Sequence, residues 1–586
     1  MIVNNFVKLS VYIGIFLPLL VEAQEPQFDW ASVYGNGRGY DIAVDSAGNV
    51  YTMGVFGGTA DFDPGPGVYN LSSQGNSDVF ILKLDSSGNF LWVKQIGRSA
   101  YTGSWYWPLG GEQNLPGNII VDPEGNLIIS AVFTDTIDAD PGPNEFLLYN
   151  SNHSNYFDQM STFIVKLDQA GNFLWAGALA IPTLMTGNKV SIDVDEAGNI
   201  FLTGILEDSL TDINPFLEDT FLVHSHGDND FFVTKLNPQG DFQWGYCIGG
   251  SGDDRAYDIA TSPEGDVYVV GAFQNTVDFD PGSGLEEFTA TDWFDAFILK
   301  LNTSGHYVWM RTFSGGNLIG RVQLDSKDNI ITLGAGKGGF DFDPGPDTVI
   351  LGNLGDDAIL IHKMDSSGSY IWGRLLKYEA TGPTPPNYGR SDITIDPCDN
   401  IYIEDYFAGW VDIDPGPDSV IVSHGIDGNL FILQLDSNGN YVWHSHLLTI
   451  MCDILADTKG NLYATGYCSD SIDLDPSSTE FFPNSDADYT FKLKSSCSVT
   501  TEVGSNYSPS LITVYPNPSR GQFYIDFGKS LNDVSITLWS IDGKQFSQQT
   551  FDKLKNLDFE LDYSPGLYFM HVEYNNGHFI LKLIKD

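Results

Sequence analysis

Cations are scarce in this chain, and so are cysteines. Lys and Arg number 28 against 77 Asp and Glu, for a formal net charge of −49. A surface so acidic repels phosphate backbones, which sets nucleic acid aside as a partner. The five cysteines, Cys247, Cys398, Cys452, Cys468 and Cys497, are too few for a disulfide scaffold, and no CxxC or Cys/His spacing suggests zinc. Cys452 and Cys468 lie in one repeat and are placed to pair. The ten histidines fall into no HExxH or Ser/His/Asp order, so no catalytic set stands out and the balance leans away from an enzyme. The apolar run at residues 9–20 is too short to span a bilayer, and no later stretch is long enough for a transmembrane segment.

What is present begins with an export signal. Lys8 precedes the apolar run, and Val21-Glu22-Ala23 offers a small-x-small cleavage site before Gln24, so residues 1–23 are expected to be a signal peptide. The 62 glycines point to many turns, and 42% hydrophobic residues suffice for a packed core.

Self-similarity dominates residues 24–494. One unit reads YDIAVDSAGNVYTMGVF (40–56), DFDPGPG (61–67) and DVFILKLDSSGNFLWVKQIG (78–97). Each unit holds four short segments of period-two alternation, predicted as strands A to D, with Asp-x-x-Gly-Asn turns suited to hairpins. The repeated tryptophans, Trp30, Trp92, Trp175, Trp244, Trp309, Trp372 and Trp443, are expected to pack between units. Four antiparallel strands repeated in a ring define a β-propeller. Strands A, B and C each number seven, and the D strand at residues 30–34 precedes every A strand. The expected fold is therefore all-β: a seven-bladed propeller with 3+1 closure, in which the N-terminal strand completes the last blade. The D–A and B–C loops then share one face, carry the length variation, and form the candidate working face. This unit resembles the bacterial SBBP-type β-propeller repeats, a likeness that speaks to fold and not to activity.

Two features of that face carry candidate sites. The element Asp-x-Asp-Pro-Gly recurs at Asp61/Asp63, Asp138/Asp140, Asp278/Asp280, Asp341/Asp343, Asp412/Asp414 and, without the glycine, Asp473/Asp475; the third unit has Asp212/Asn214. Carboxylates two apart can direct hard oxygens at Ca²⁺, the one cofactor the pattern suggests. They can equally cap backbone N–H groups in a turn. The second feature is asymmetric: Tyr101, Trp105, Tyr106 and Trp107 (YTGSWYW) lie in the second D–A connection and are candidates for stacking on sugars or a protein. His153 and Tyr156, and the Pro-rich stretch 378–390, belong to the same face, and Glu404-Asp405 is the one irregular acidic pair in a B strand.

Residues 495–510 are Ser/Thr-rich and read as a linker, after which the repeat vanishes. Residues 511–586 are expected to form seven or so short strands in a small antiparallel sandwich. The block resembles the sorting domain of the type IX secretion system of Bacteroidetes, the Por secretion tail. The carrying residues are Tyr515, Pro516, Asn517, Pro518, Gly521, Asp542, Gly543, Lys544, Gly566, Leu567, Tyr568 and Lys582. The resemblance implies export across the outer membrane, with the secretion machinery as partner and a surface or released destination. The leading expectation is an exported binding protein for a polysaccharide or surface protein. The alternatives are a secreted carbohydrate-active hydrolase or lyase and a Ca²⁺-stabilised structural envelope protein.

Overall fold

The computed structural model describes residues 26–497 and 513–585, leaving out 36, 76, 98–116, 134–135, 151–159, 184–189, 208–209, 217–219, 315–317, 340, 354, 356, 381–390, 448–449, 469–472, 476–480, 483–486, 496, 516–521, 541–544, 562, 564–565 and 575–576. Among the described residues every regular element is a β-strand, and the chain divides into two compact units after Cys497.

The first unit is a succession of four-stranded antiparallel sheets. Gly37–Val44, Val50–Phe56, Asp78–Leu84 and Phe90–Ile96 pair in that order as strands A to D of the first repeat. B and C are buried along their whole length, whereas D alternates. The apolar runs in B and C follow from this, because a strand covered on both faces needs no polar side. The order recurs in the second (Gly117–Val121 to Phe173–Thr183), third (Ser191–Val194 to Phe242–Ile248) and fourth repeats (Arg255–Thr261 to Tyr307–Phe313). The fifth (Leu318–Leu324 to Tyr370–Ala380) and sixth (Asp392–Ile395 to Tyr441–Leu447) are joined where residues 378–380 pair with residues 409–411. The last sheet is drawn from both ends of the unit. Ile450–Ala456, Leu462–Cys468 and Ala487–Lys494 supply A, B and C, and Gln27–Tyr34 pairs antiparallel with Ala487–Lys494.

The A–B and C–D turns share one construction. Asp45 Oδ1 accepts the N–H groups of Ala47 and Asn49, its Oδ2 accepts Asn49 Nδ2, and its carbonyl accepts the Gly48 N–H. Gly48 stands at φ 88°, where a Cβ would be strained; Asp328 and Asp399 take that conformation at 57° and 62° in two other turns. Once the first, third, fourth and fifth residues are tied down, the carbonyl of the second residue points away from the turn unused.

The preceding repeat uses it. Lys166 Nζ and Trp175 Nε1 both donate to Pro238 O, at 2.9 and 3.4 Å. Lys235 and Trp244 donate to Thr303 O, Lys300 and Trp309 to Ser366 O, and Lys363 and Trp372 to Ser437 O. Lys492 and Trp30, one from each end of the unit, converge on Ser86 O in the first repeat. The lysine ammonium is buried, and the turn aspartate of its own repeat neutralises it: Lys166 lies 2.7 Å from Asp122 and Lys363 2.8 Å from Asp325. Burial alone would raise these aspartates, but the lysine and the turn donors outweigh it and hold Asp122 and Asp325 below the ordinary carboxylate range. A charge-assisted bond of this kind contributes about 1.5–3 kcal/mol.

The sixth repeat departs from the scheme. Gln434 occupies the lysine position, paired with Tyr402 as Lys83 is with Tyr51, and burial now pushes Asp396 up. No C–D turn follows the strand Ala487–Lys494, because its D neighbour is the N-terminal strand. In place of the missing contact a disulfide joins Cys398, in the A–B turn of the sixth repeat, to Cys497. The bond ties residues 495–497 to the first unit. The expected pairing of Cys452 with Cys468 concerns side chains outside the described residues.

The second unit holds five strands in one hydrogen-bonded antiparallel sheet among the described residues, rather than seven or so short ones. Gln522–Ser540 runs 19 residues through a register shift between Asp526 and Leu531, so it absorbs two of the expected short strands. Phe523, Ile525, Val534, Ile536, Leu557, Met570 and Val572 form its core.

Removing the seam disulfide with Cys398→Ser and Cys497→Ser should cost roughly 2–4 kcal/mol in denaturant unfolding, since the bond closes a loop of 99 residues. An unchanged midpoint would show that the strand pairing alone holds the seam.

Candidate functional site

The A strands meet one another along a row of polar side chains. Register places Asp41, Asn118, Ser191, Asp258, Arg321, Asp392 and Asp453 at equivalent positions, opposite Met53, Ser130, Thr203, Val270, Leu333, Glu404 and Thr465. In four of the repeats a register shift immediately precedes this residue, as between Gly39 and Asp41 or Met451 and Asp453. The bulge turns the side chain toward the neighbouring sheet.

Each acid of the row bonds across a sheet boundary. Asp41 Oδ2 accepts Ile119 N–H at 2.8 Å, and Asp258 Oδ2 accepts Val322 N–H at 3.0 Å. Asp453 Oδ2 accepts Ile42 N–H at 2.8 Å, bringing the last A strand onto the first. Arg321 Nε reaches Asp392 Oδ1 at 3.2 Å. Asp193, two residues beyond Ser191, accepts both N–H and O–H of Thr261. Burial, then Asp41 and Asp392, push the Asp453 carboxyl well above its ordinary value. Burial raises Asp193 to about 6.

Glu404 and Asp405 extend this row, and both are buried. Asp405 stands opposite Phe431 where Gly54 stands opposite Phe80 in the first repeat. A Cβ at Gly54 would meet Arg38 O at 2.1 Å. Burial raises the Asp405 carboxyl to about 7. The sequence marks this pair as irregular. The rest of the row is visible there as a repeated polar residue before Ile or Val, a signal that by itself carries no role.

The Asp-x-Asp-Pro-Gly elements lie within the loops of short hairpins such as Thr59–Asp61 with Asn70–Ser72. Asp61 Oδ1 accepts the N–H groups of Asp63 and Tyr69, and Asp63 Oδ1 accepts that of Gly65. The first two bonds recur at Asp138, Asp278, Asp341, Asp412 and Asp473. Asp140, Asp280, Asp343 and Asp414 repeat the third, and Asp475 ends the series beside Asp473. Tyr101, Trp105, Tyr106 and Trp107 lie outside the described residues, as do His153, Tyr156 and most of 378–390. Of the sorting motif, Pro516, Asn517, Pro518, Gly521, Gly543 and Lys544 lie outside them too. Tyr515, Gly566, Tyr568 and Lys582 are on strands, with Tyr568 buried and paired with Leu583.

Residues 513–586 match the family described as the secretion system C-terminal sorting domain. The second unit is therefore a sorting domain of the type IX system, and the chain is exported by it to the cell surface or beyond. Over 500 residues the chain is 22% identical to an uncharacterized WD repeat-containing protein of Acanthamoeba polyphaga mimivirus, covering 71% of this chain and 34% of that protein. The chain thus spans about a third of the length of that relative. Among solved structures, a mutant of the NanB sialidase from Streptococcus pneumoniae aligns with 12% identity and a TM-score of 0.32, covering 82% of this chain and 71% of that one. The GH93 α-L-arabinofuranosidase of Fusarium graminearum aligns with 9% identity and a TM-score of 0.30, covering 80% and 97%.

The raised acids give a signed pH dependence. Asp193 and Asp405 bind protons more tightly folded than unfolded, so their contribution is full below about pH 4 and is lost as pH rises through their folded values of about 6 and 7. Asp122 and Asp325 act oppositely, losing their contribution as pH falls below the ordinary carboxylate range. Melting temperature should fall by several degrees between about pH 5 and pH 8, and Asp405→Asn should flatten that fall. Parallel curves for the two proteins would refute this assignment.

Proposed function

We propose that the first unit is a seven-bladed β-propeller closed by its N-terminal strand, spanning residues 24–494 with the seam disulfide just beyond, and that it serves as an exported binding protein. Its ligand is a polysaccharide or a surface protein, met by the D–A and B–C face. The observation that carries this reading is how the repeated acids are spent. The turn, loop and A-strand aspartates accept backbone or inter-repeat bonds, so they serve the scaffold. Variation is concentrated in the loops, and a rigid scaffold presenting variable loops is how binding sites are commonly built. Tyr101, Trp105, Tyr106 and Trp107 are the proposed contacts.

The test is retention of the chain lacking residues 1–23 on a panel of insoluble polysaccharides. Selective retention, lost in Trp105→Ala with Trp107→Ala, is the expected result. No retention on any polymer would overturn the glycan reading and turn the search to protein partners.

A second reading, a carbohydrate-active hydrolase or lyase, draws on Glu404, which stands opposite Asp392 in the row that also holds the raised carboxyl of Asp453, since such enzymes pair an acid with a carboxylate. Release of soluble sugar that ceases in Glu404→Gln would favour it.

For the Asp-x-Asp-Pro-Gly loops we favour capping over Ca²⁺, because the first aspartate already holds two backbone donors in one oxygen. Asp278→Ala should cost about 1 kcal/mol, and adding Ca²⁺ to the chelator-treated chain should leave the melting temperature unchanged. A melt lowered by chelator and restored by Ca²⁺ would reinstate the metal reading and the structural envelope role.

A further inference from the structure

At the start of the C strand in the first, third and fourth repeats an aspartate secures the loop before it, and the third repeat equips this device differently. In the first repeat Asp78 accepts the Gln74 N–H and the Gln95 side-chain amide. In the fourth, Asp295 accepts the N–H and hydroxyl of Thr291. None of these partners favours a metal. In the third repeat the corresponding loop residue is His226 and the D-strand residue is Cys247, which pairs with Phe232 as Gln95 does with Phe80. Asp230 Oδ2 lies 3.0 Å from His226 Nδ1 and 3.5 Å from Cys247 Sγ. The three donor atoms all lie within 4.8 Å of one another.

Two independent observations point to a cationic ligand. Asp230 is fully buried, yet its Oδ1 has no hydrogen-bond partner, which is costly for a carboxylate. The surroundings are also negative. Asp254 is buried close by and is bonded only by the N–H groups of Gly250 and Gln274, and the nearby Arg255 is paired with Asp253. The way in is open, because the His226 side chain is 61% exposed.

We propose that His226, Asp230 and Cys247 bind one Zn²⁺-class cation. Nitrogen, carboxylate oxygen and sulfur form a borderline-soft set that suits zinc and not Ca²⁺ or Mg²⁺. Ligands at roughly 2.0–2.3 Å from a tetrahedral zinc stand about 3.3–3.7 Å apart, close to the separations present without it. Binding displaces the thiol proton to solvent, leaving sulfur, imidazole nitrogen and carboxylate on the metal. Three protein donors leave the fourth position to water or to a donor atom of a bound molecule. The site belongs to the ends of the strands that bear the D–A and B–C loops, and it stands whether or not the ligand of the propeller is a glycan.

The experiment loads the chelator-treated chain lacking residues 1–23 with Co²⁺. One equivalent should bind with a thiolate-to-cobalt charge-transfer band, and Zn²⁺ should displace it. His226→Gln, at an exposed position that leaves the fold intact, should weaken Zn²⁺ binding at least as much as loss of an outer-shell partner does, roughly 10–100-fold. Cys247→Gln, which installs the residue type that the first repeat carries at this position, should abolish the band while the metal-free melt stays the same. Absence of the band, its persistence in Cys247→Gln, or an unchanged Zn²⁺ affinity in His226→Gln would overturn the proposal.

Discussion

One peptide oxygen in each C–D turn organises the first unit. It lies at the second residue of the C–D turn and receives a lysine ammonium and a tryptophan indole from the repeat before it. That oxygen is available because the first residue of the turn, Asp or Asn, binds the amides around it and fixes the direction in which it points. The lysine can be buried only because a second aspartate, in the A–B turn of its own repeat, offsets its charge. Sheet, turn and neighbour are therefore coupled, and none of the three can be altered without exposing an unsatisfied group in another.

The acidity of the chain follows in part from this construction. Aspartates at both turn types, in the loop hairpins and along the A strands outnumber the lysines that face them. Most spend their oxygens on backbone N–H groups, which need an acceptor and no counter-charge. The seam shows the dependence from the other side. Where the receiving turn is absent, the lysine becomes Gln434, the turn aspartate loses its cation, and a disulfide takes over the contact.

Against so regular a scaffold, function is to be sought where the repeat is broken. Glu404 and Asp405 break it in the A-strand row, and His226 and Cys247 break it at the start of a C strand. Each substitution replaces a residue that served packing or capping with one that has chemistry to spare. The sorting domain adds the destination: whatever these groups engage is met outside the cell.

The strands and the positive-φ glycines of the turns were legible in the sequence, since each depends on residues within about five positions of one another, whereas the expected period-two alternation gave way in B and C to burial along the whole strand. The pairing of Gln27–Tyr34 with Ala487–Lys494 was also within reach, because the D strands could be counted and one stood ahead of the first A strand. The tertiary structure alone decided which groups meet across repeats. Lys166 and Pro238 O are separated by 72 residues, Asp453 and Ile42 by 411, and Cys398 and Cys497 by 99. A period in sequence marks equivalent positions but not which neighbour each will face. That is set by the packing of one sheet on the next, and only there did Asp230 acquire a histidine and a cysteine as company.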